Sequence, residues 1–405
     1  MGRLYVGIDL AKTTHQVAVA DEQQRLVCPP FEMGRGRAGC EFMLKRVETL
    51  GVTSAADISI TIEATGSYWN ELVWEFRERG CEVYLAHPKK AHDLRRFYTL
   101  HTKTDVTDAE ALARMPMVDQ GLHPVWVPSE EQQSLLRLCR LRWKYRCRIA
   151  DVKRRLSRLA DMIVPGIGSV LPMRYSRTSR VFLRRYLAPE RARRIGKRRL
   201  GQILGKAAYG KFSEEKLDRL WYCVLNAPSL GLLTPELLLE VGVQLDELEL
   251  LERNVDQLDQ RITELYADVD PGQKLLEIEG VGPFLAAALT ASIGDVRRFG
   301  STKALISYAG LAPRVHRTGG HTKGGQGITK HGSPFLRAWA FLAATNARQR
   351  DCELKAYFRR LTRRGKHYNL AVCATAARLL ERAHAMLSEE VRETRESPDH
   401  LVSTG

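Results

Sequence analysis

Residues 4–10, LYVGIDL, form a nearly unbroken apolar run interrupted by one acid, Asp9, and after a short turn QVAVAD follows. An apolar run of this length predicts a strand buried on both faces, and the second run predicts a strand closing a hairpin with it. ISITIEATG repeats the pattern: β-branched residues, then the acid Glu63, then a glycine ahead of the helical stretch SYWNELVWEFRERG. EVYLAHP reads as a further strand of the same sheet, and TDVTDAEALARM as a helix. Residues 1–125 are therefore expected to form a mixed α/β domain.

Beyond WVPSEEQ the period becomes helical. Leu138, Tyr145, Ile149, Val152, Leu156, Leu159 and Ile163 follow 3 and 4 spacing up to VPGIG, and Leu237, Val241, Leu245, Leu248, Val255, Leu258, Ile262 and Leu265 do so up to DVDPG. The first run is basic and the second acidic. Two such helices predict an antiparallel coiled coil, within one chain or between two, with ordinary packing against a globular core as the plainer alternative. Residues 201–230 between them read as a linker or a small helical module. GVG before Pro283 and an Ala-rich helix is the pattern of a helix-hairpin-helix, or of an ordinary helix–loop–helix. SPFLRAWAFLAAT predicts a helix with Ser333 as its cap and Pro334 at its first position. The expected division is 1–125, 126–268, 269–390 and a flexible tail over 391–405.

Charge adds a partner class. Lys and Arg number 63 against 47 acids, a net +16, in a chain that is 44% hydrophobic and long enough for more than one core. An excess of this size suits a phosphate backbone better than a small metabolite. It is also local: residues 137–158 carry bases on most of the outer helical face, and residues 174–199 hold eleven Arg and Lys against the single acid Glu190. Phe182, Leu183, Tyr186, Leu187, Ile195 and Leu200 interrupt the second run, which predicts short ordered helices rather than a solvated tail. Arg193, Arg194, Arg198 and Arg199 are the candidate phosphate contacts, and an Arg-rich surface suits structured RNA as well as DNA.

The eight cysteines include no CxxC pair and no zinc-finger spacing, so reduced thiols are expected. With no stretch approaching a membrane span, the expected location is cytoplasmic and the expected partners include no membrane.

Four carboxylates then stand out. Asp9 and Glu63 end strands, and Asp105 and Asp108, three apart on one helix, are separated by a rise of about 4.5 Å. Singly, Asp9 could be a turn-forming acid and Asp105 or Asp108 a helix cap. Together they form the donor set of a divalent-metal site in a basic protein, which predicts Mg²⁺ or Mn²⁺ and phosphoryl transfer.

Near the C-terminus, seven glycines from Gly310 to Gly332 mix with Arg314, Arg317, Lys323 and Lys330 in a cationic loop expected to bind or catalyse. Thr318 sits between Arg317 and a Gly-Gly pair, whereas Thr329 and Ser333 suit a turn and a cap. A hydroxyl attacking phosphorus needs a base and charge stabilisation, which acids and arginines could supply.

GIDLAK, TIEATG and KTDVTDAEALA, together with EIEGVGPFLAAAL, YAGLAP and GITKHGSPFLRAWAFLAA, resemble the DEDD transposases of the insertion-sequence 110 family and the related site-specific DNA invertases, over nearly the whole chain. The resemblance implies an α/β fold class: an N-terminal RuvC-like domain of RNase H fold, a central long-helix coiled coil, and a mainly helical C-terminal transposase domain with a helix-hairpin-helix-like segment. It implies that Asp9, Glu63, Asp105 and Asp108 are the four metal-binding acids. It also implies that Thr318 stands where the family has a serine that links covalently to DNA. The threonine keeps the hydroxyl and adds a rotamer-restricting methyl. The implied activity is RNA-guided cleavage and rejoining of donor and target DNA, with a structured guide RNA and dimers assembling into a tetramer. A RuvC-like structure-specific nuclease without rejoining is the alternative.

Overall fold

The computed structural model describes residues 2–64, 68–98, 104–119, 121–171, 175–228, 235–270, 272–314, 317–318, 321–322, 327–350 and 352–396. The chain divides into two compact units, Met1–Val127 and Pro128–Gly405.

The first unit is built on five strands, β1 (Leu4–Asp9), β2 (Thr14–Ala20), β3 (Phe31–Gly34), β4 (Ile58–Glu63) and β5 (Glu82–Ala86), in the order β3-β2-β1-β4-β5. β1 pairs antiparallel with β2 and β2 with β3, while β1–β4 and β4–β5 are parallel. The hairpin and the shared sheet expected from the apolar runs are both present. β3, a four-residue edge strand, is too short to announce itself by pattern.

Both faces of this sheet are covered by helices, which explains the continuous apolar runs. Val6, Ile8, Val17, Val19, Ile58, Ile60, Ile62 and Val83 meet α1 (Gly36–Glu48) and α2 (Trp69–Glu78) through Cys40, Met43, Val47, Leu72 and Phe76. On the other face lie α3 (Pro88–Tyr98) and α4 (Asp105–Val118), with Ala109 and Ala113 of α4 against Ala18 and Ala20. Small residues on both sides let helix and sheet approach closely. Ala86, Ala91, Leu112 and Met115 close the packing between β5, α3 and α4.

The second unit is almost wholly helical among the described residues. α5 (Glu130–Ile163) and α11 (Pro235–Val269) are its two long members, and at 34 residues α5 is about 50 Å long. Arg142 bonds Asp259 and Lys153 bonds Glu252 at 3.0 Å, so numbering falls on one helix as it rises on the other, and Arg148 bonds Glu247 at 2.9 Å across the same pair. The basic and acidic runs are thus antiparallel neighbours within one chain.

Ile149, Val152 and Leu156 of α5 share a core with Val241, Leu245 and Leu248 of α11 and with the short helices α6 (Ile167–Val170), α7 (Arg177–Arg185), α8 (Pro189–Ile195), α9 (Lys197–Ala207) and α10 (Glu214–Asn226). Leu135, Cys139, Ile262 and Leu265 join a second core with α12 (Pro283–Ile293), α13 (Thr302–Tyr308), α14 (Pro334–Ala347), α15 (Glu353–Arg363) and α16 (Tyr368–Glu396). Two strand pieces, β6 (Arg317–Thr318) and β7 (His321–Thr322), pair antiparallel between α13 and α14.

Gly280 has a packing role. Its φ is 93°, and a Cβ there would meet the backbone of Ala343 and Ala347 at 2.7 and 2.5 Å, so this glycine admits α14. The cysteines among the described residues are free, with Cys40, Cys81 and Cys139 buried. No helix of the described residues is long and apolar enough to cross a membrane.

Candidate active site and nucleic-acid interface

The register of β1 and β4 pairs Gly7 with Thr61 and Ile8 with Ile62, so the next pair, Asp9 and Glu63, closes both parallel strands at the same end. Neighbouring strands lie about 4.8 Å apart and side chains alternate between faces, so both acids share a face with Gly7 and Thr61. That face carries α4. The backbone of α4 comes so near Gly7 that a Cβ there would sit 2.0 Å from the Ala109 carbonyl oxygen, and the helix can lie flat on β1 only because position 7 has no side chain.

α4 begins at the same end of the sheet. Its cap is Thr104, whose hydroxyl accepts from the Thr107 N–H at 3.2 Å while the Thr104 N–H donates to the Thr107 hydroxyl at 3.0 Å. Neither Asp105 nor Asp108 is the cap. Both acids are left in the first turn, where the positive end of the helix dipole favours them.

Asp9 feels the other three acids. Burial, followed by the charges of Asp108, Asp105 and Glu63, raises the Asp9 carboxyl from 3.8 to about 6, against a lowering bond from the Leu10 backbone. Asp108 also has a cation beside it: Arg95, on the last turn of α3, reaches its Oδ1 at 3.1 Å, and both side chains are largely buried. Among the described residues no three His, Cys, Asp or Glu side chains stand close enough to hold a metal ion as they are placed. Asp108, one of the four acids, is engaged by Arg95 in this arrangement. The donor set suits a hard divalent cation: it is all carboxylate oxygen, at one end of one sheet, with repulsion that a cation would relieve.

The glycine-rich loop belongs to the second unit. Its base is clasped by backbone bonds from Arg314 to Gly327 (2.9 Å), Thr329 to Ala312 (2.8 Å), Lys330 to Gly310 (3.0 Å) and Ser333 to Tyr308 (2.7 Å). Above that base, Thr318 ends β6 opposite His321. The Thr318 hydroxyl, the Arg317 guanidinium and Lys323 lie outside the described residues. Arg314 and Lys330 are exposed at the loop base. Ser333 is the cap of α14, its hydroxyl accepting from the Leu336 N–H at 3.2 Å with Pro334 first in the helix, as its sequence context predicts.

The arginine-rich segment divides into two uses. Arg193 is committed to the fold: its guanidinium donates to the carbonyls of Val224 (2.9 Å), Leu225 (3.2 Å) and Ala227 (2.9 Å), clasping the end of α10. Arg180 and Arg184 pair with Glu252 and Glu249 of α11. Arg194, Arg198 and Arg199 are exposed, and they retain the expectation that Arg193 loses.

Two family models match the chain. A transposase model of the DEDD, IS110 type spans residues 6–165, and the model of the transposase IS116/IS110/IS902 family spans residues 272–359, together more than half of the chain. The chain belongs to this transposase family. The four acids fall in the first matched segment of this transposase, and Arg314 to Lys330 in the second, whereas the arginines at 193–199 fall in neither. A "Probable family 20 transposase" of Pseudomonas aeruginosa is 28% identical over 82% of this chain and 80% of its own length. The "Insertion element IS116 uncharacterized 44.8 kDa protein" of Streptomyces clavuligerus is 25% identical over 96% and 95%, and the "Pilin gene-inverting protein" of Moraxella lacunata 22% identical over 96% and 97%. DNA binding and DNA recombination go with this membership. Gly7, Arg95 and the Thr104–Thr107 cap are the site residues that pattern reading missed; only Gly7, a glycine inside an apolar strand, carries a local signal.

Proposed function

We propose that this transposase is a metal-dependent DNA recombinase that cuts and rejoins strands through a loop hydroxyl, guided by a structured RNA. The observation that carries the reading is the Asp9 carboxyl, pushed up to about 6 by burial and by three other acids at one end of a basic protein's only five-stranded sheet among the described residues. A sheet of order β3-β2-β1-β4-β5 with acids at the ends of β1 and β4 supports a RuvC-like domain. The antiparallel α5–α11 pair supports a central long-helix coiled coil.

In this reading Asp9, Glu63, Asp105 and Asp108 hold Mg²⁺ or Mn²⁺, which would supply Lewis-acid stabilisation of charge on phosphate oxygens. Thr318 supplies the nucleophile. Its oxygen forms a bond to phosphorus as the bond from phosphorus to one DNA oxygen breaks; the hydroxyl proton passes to a base and the departing oxygen is protonated. The phosphodiester bond is conserved in the adduct, so rejoining is the reverse transfer to another strand's hydroxyl and needs no nucleotide cofactor. Arg314, Arg317, Lys323 and Lys330 offer positive charge around that loop. Arg194, Arg198 and Arg199 offer phosphate contacts to DNA or to the guide RNA. Two protomers, and then four, would join the acids of one chain to the hydroxyl of another.

The deciding experiment incubates the protein with donor and target duplexes, the RNA of its own element and Mg²⁺, then digests any adduct for mass spectrometry. Nucleotide on Thr318 is the expected result. Cut ends without an adduct would replace the recombinase by the nuclease reading.

A further inference from the structure

We propose that Arg95 is the resident counter-cation of the acid cluster: it holds Asp108 in the metal-free protein and yields it when a divalent cation binds. The inference rests on the reading of the four acids as a metal site, and it concerns a residue of α3 that belongs to none of the acidic segments.

Arg95 is 9% exposed, and a guanidinium in that position must be paired, because an uncompensated buried charge is strongly destabilising. α3 packs on α4 and places the Arg95 Nε 3.1 Å from Asp108 Oδ1. Asp108 lies in the first turn of α4, the helix that packs on β1, whose last residue is Asp9. One carboxylate thus faces two demands, the arginine on the α3 side and the acid cluster on the β1 side. A cation entering the cluster meets a fixed positive charge in contact with one of its ligands. That charge opposes loading whether or not the pair separates fully, since two cations sharing one carboxylate repel each other in a partly buried site. Arg95 therefore restrains metal occupancy and, while no metal is bound, offsets the charge of Asp108.

Mn²⁺ binding to the full-length protein, followed by the paramagnetic signal of free Mn²⁺ or by calorimetry, tests this. Wild type, Arg95→Gln and Asp9→Asn are compared, together with melting in EDTA and in Mn²⁺. A charged hydrogen bond contributes about 1.5 kcal/mol or more, so Arg95→Gln should bind Mn²⁺ about tenfold more tightly than wild type. Its melting temperature should fall in EDTA and recover in Mn²⁺. Asp9→Asn should lose binding. Equal or weaker Mn²⁺ binding by Arg95→Gln, with wild type binding normally, overturns the counter-cation role and leaves a structural or ligand-orienting arginine. Absence of Mn²⁺ binding in wild type, or binding unaffected by Asp9→Asn, overturns the metal site itself and the inference with it. Should Arg95→Gln fail to fold, Arg95→Met removes the charge and keeps an unbranched stem; it should bind Mn²⁺ more tightly than wild type, and unchanged or weaker binding overturns the inference equally.

Discussion

The Cα of Gly7 lies so close beneath Ala109 that a methyl group on it would stand 2.0 Å from the Ala109 carbonyl oxygen and 2.3 Å from the Ala113 nitrogen. Strand backbone and helix backbone touch at this point. The close approach sets how low α4 rides over β1, and two residues further along β1 it delivers Asp9 to the end of the sheet where α4 presents Asp105 and Asp108.

Gly7→Ala should therefore do more than an ordinary glycine substitution. The clash is with main chain, which cannot rotate away, so a loss at the upper end of overpacking costs is expected, about 3 kcal/mol or more. Thermal unfolding checks it, with Gly34→Ala as the control, since a Cβ at Gly34 meets nothing within 4 Å. Equal stabilities for the two variants would contradict the close approach.

Asp9 makes a pH prediction whose sign is opposite to that of a salt-bridged acid. Its folded pKa of about 6 exceeds the ordinary 3.8, so the folded state binds the proton more tightly and stability declines as pH rises through that window. In EDTA at neutral pH, Asp9→Asn should be more stable than wild type by about 1 kcal/mol, a figure already reduced for the solvent that reaches this half-buried group. Melting curves at both ends of the window measure it. The gain should vanish when both proteins are below the lower pKa, where wild-type Asp9 is itself neutral.

Two arginine substitutions a few residues apart should behave differently. Replacing Arg194, Arg198 and Arg199 by Ala should weaken nucleic-acid binding and lower the salt slope by about three, roughly one for each phosphate no longer neutralised. Arg193→Ala should leave that slope unchanged and lower stability by about 2 kcal/mol, because three carbonyls at the end of α10 lose a charged donor. Binding titrations across salt concentrations, with melting temperatures alongside, separate the two.

The two hydroxyl candidates flanking the loop base also part company. Thr318→Ser should keep the DNA adduct and Thr318→Val abolish it, since valine retains the shape and removes the nucleophile. Ser333→Ala should keep the adduct while lowering stability by about 1 kcal/mol through the lost cap of α14. Adduct yield on a denaturing gel reads all three variants; an adduct that survives Thr318→Val would remove Thr318 from the reaction.

By itself the sequence determined the elements and their chemistry. The unbroken run from Leu4 marks a strand covered on both faces, the 3 and 4 spacing from Leu138 and from Leu237 marks the two long helices, and SPF marks the capped start of α14. These signals are local, because backbone hydrogen bonding repeats every two or every 3.6 residues and burial prints that period on the side chains. Tertiary structure alone decided which charges are available. Arg193 and Arg194 are adjacent and chemically identical, yet one clasps α10 and the other is exposed. Arg95 becomes the partner of Asp108 only because α3 packs on α4, and the bases of α5 meet the acids of α11 only because the helices run antiparallel. Such pairings depend on contacts between segments far apart in the chain, and no periodicity within either segment records them.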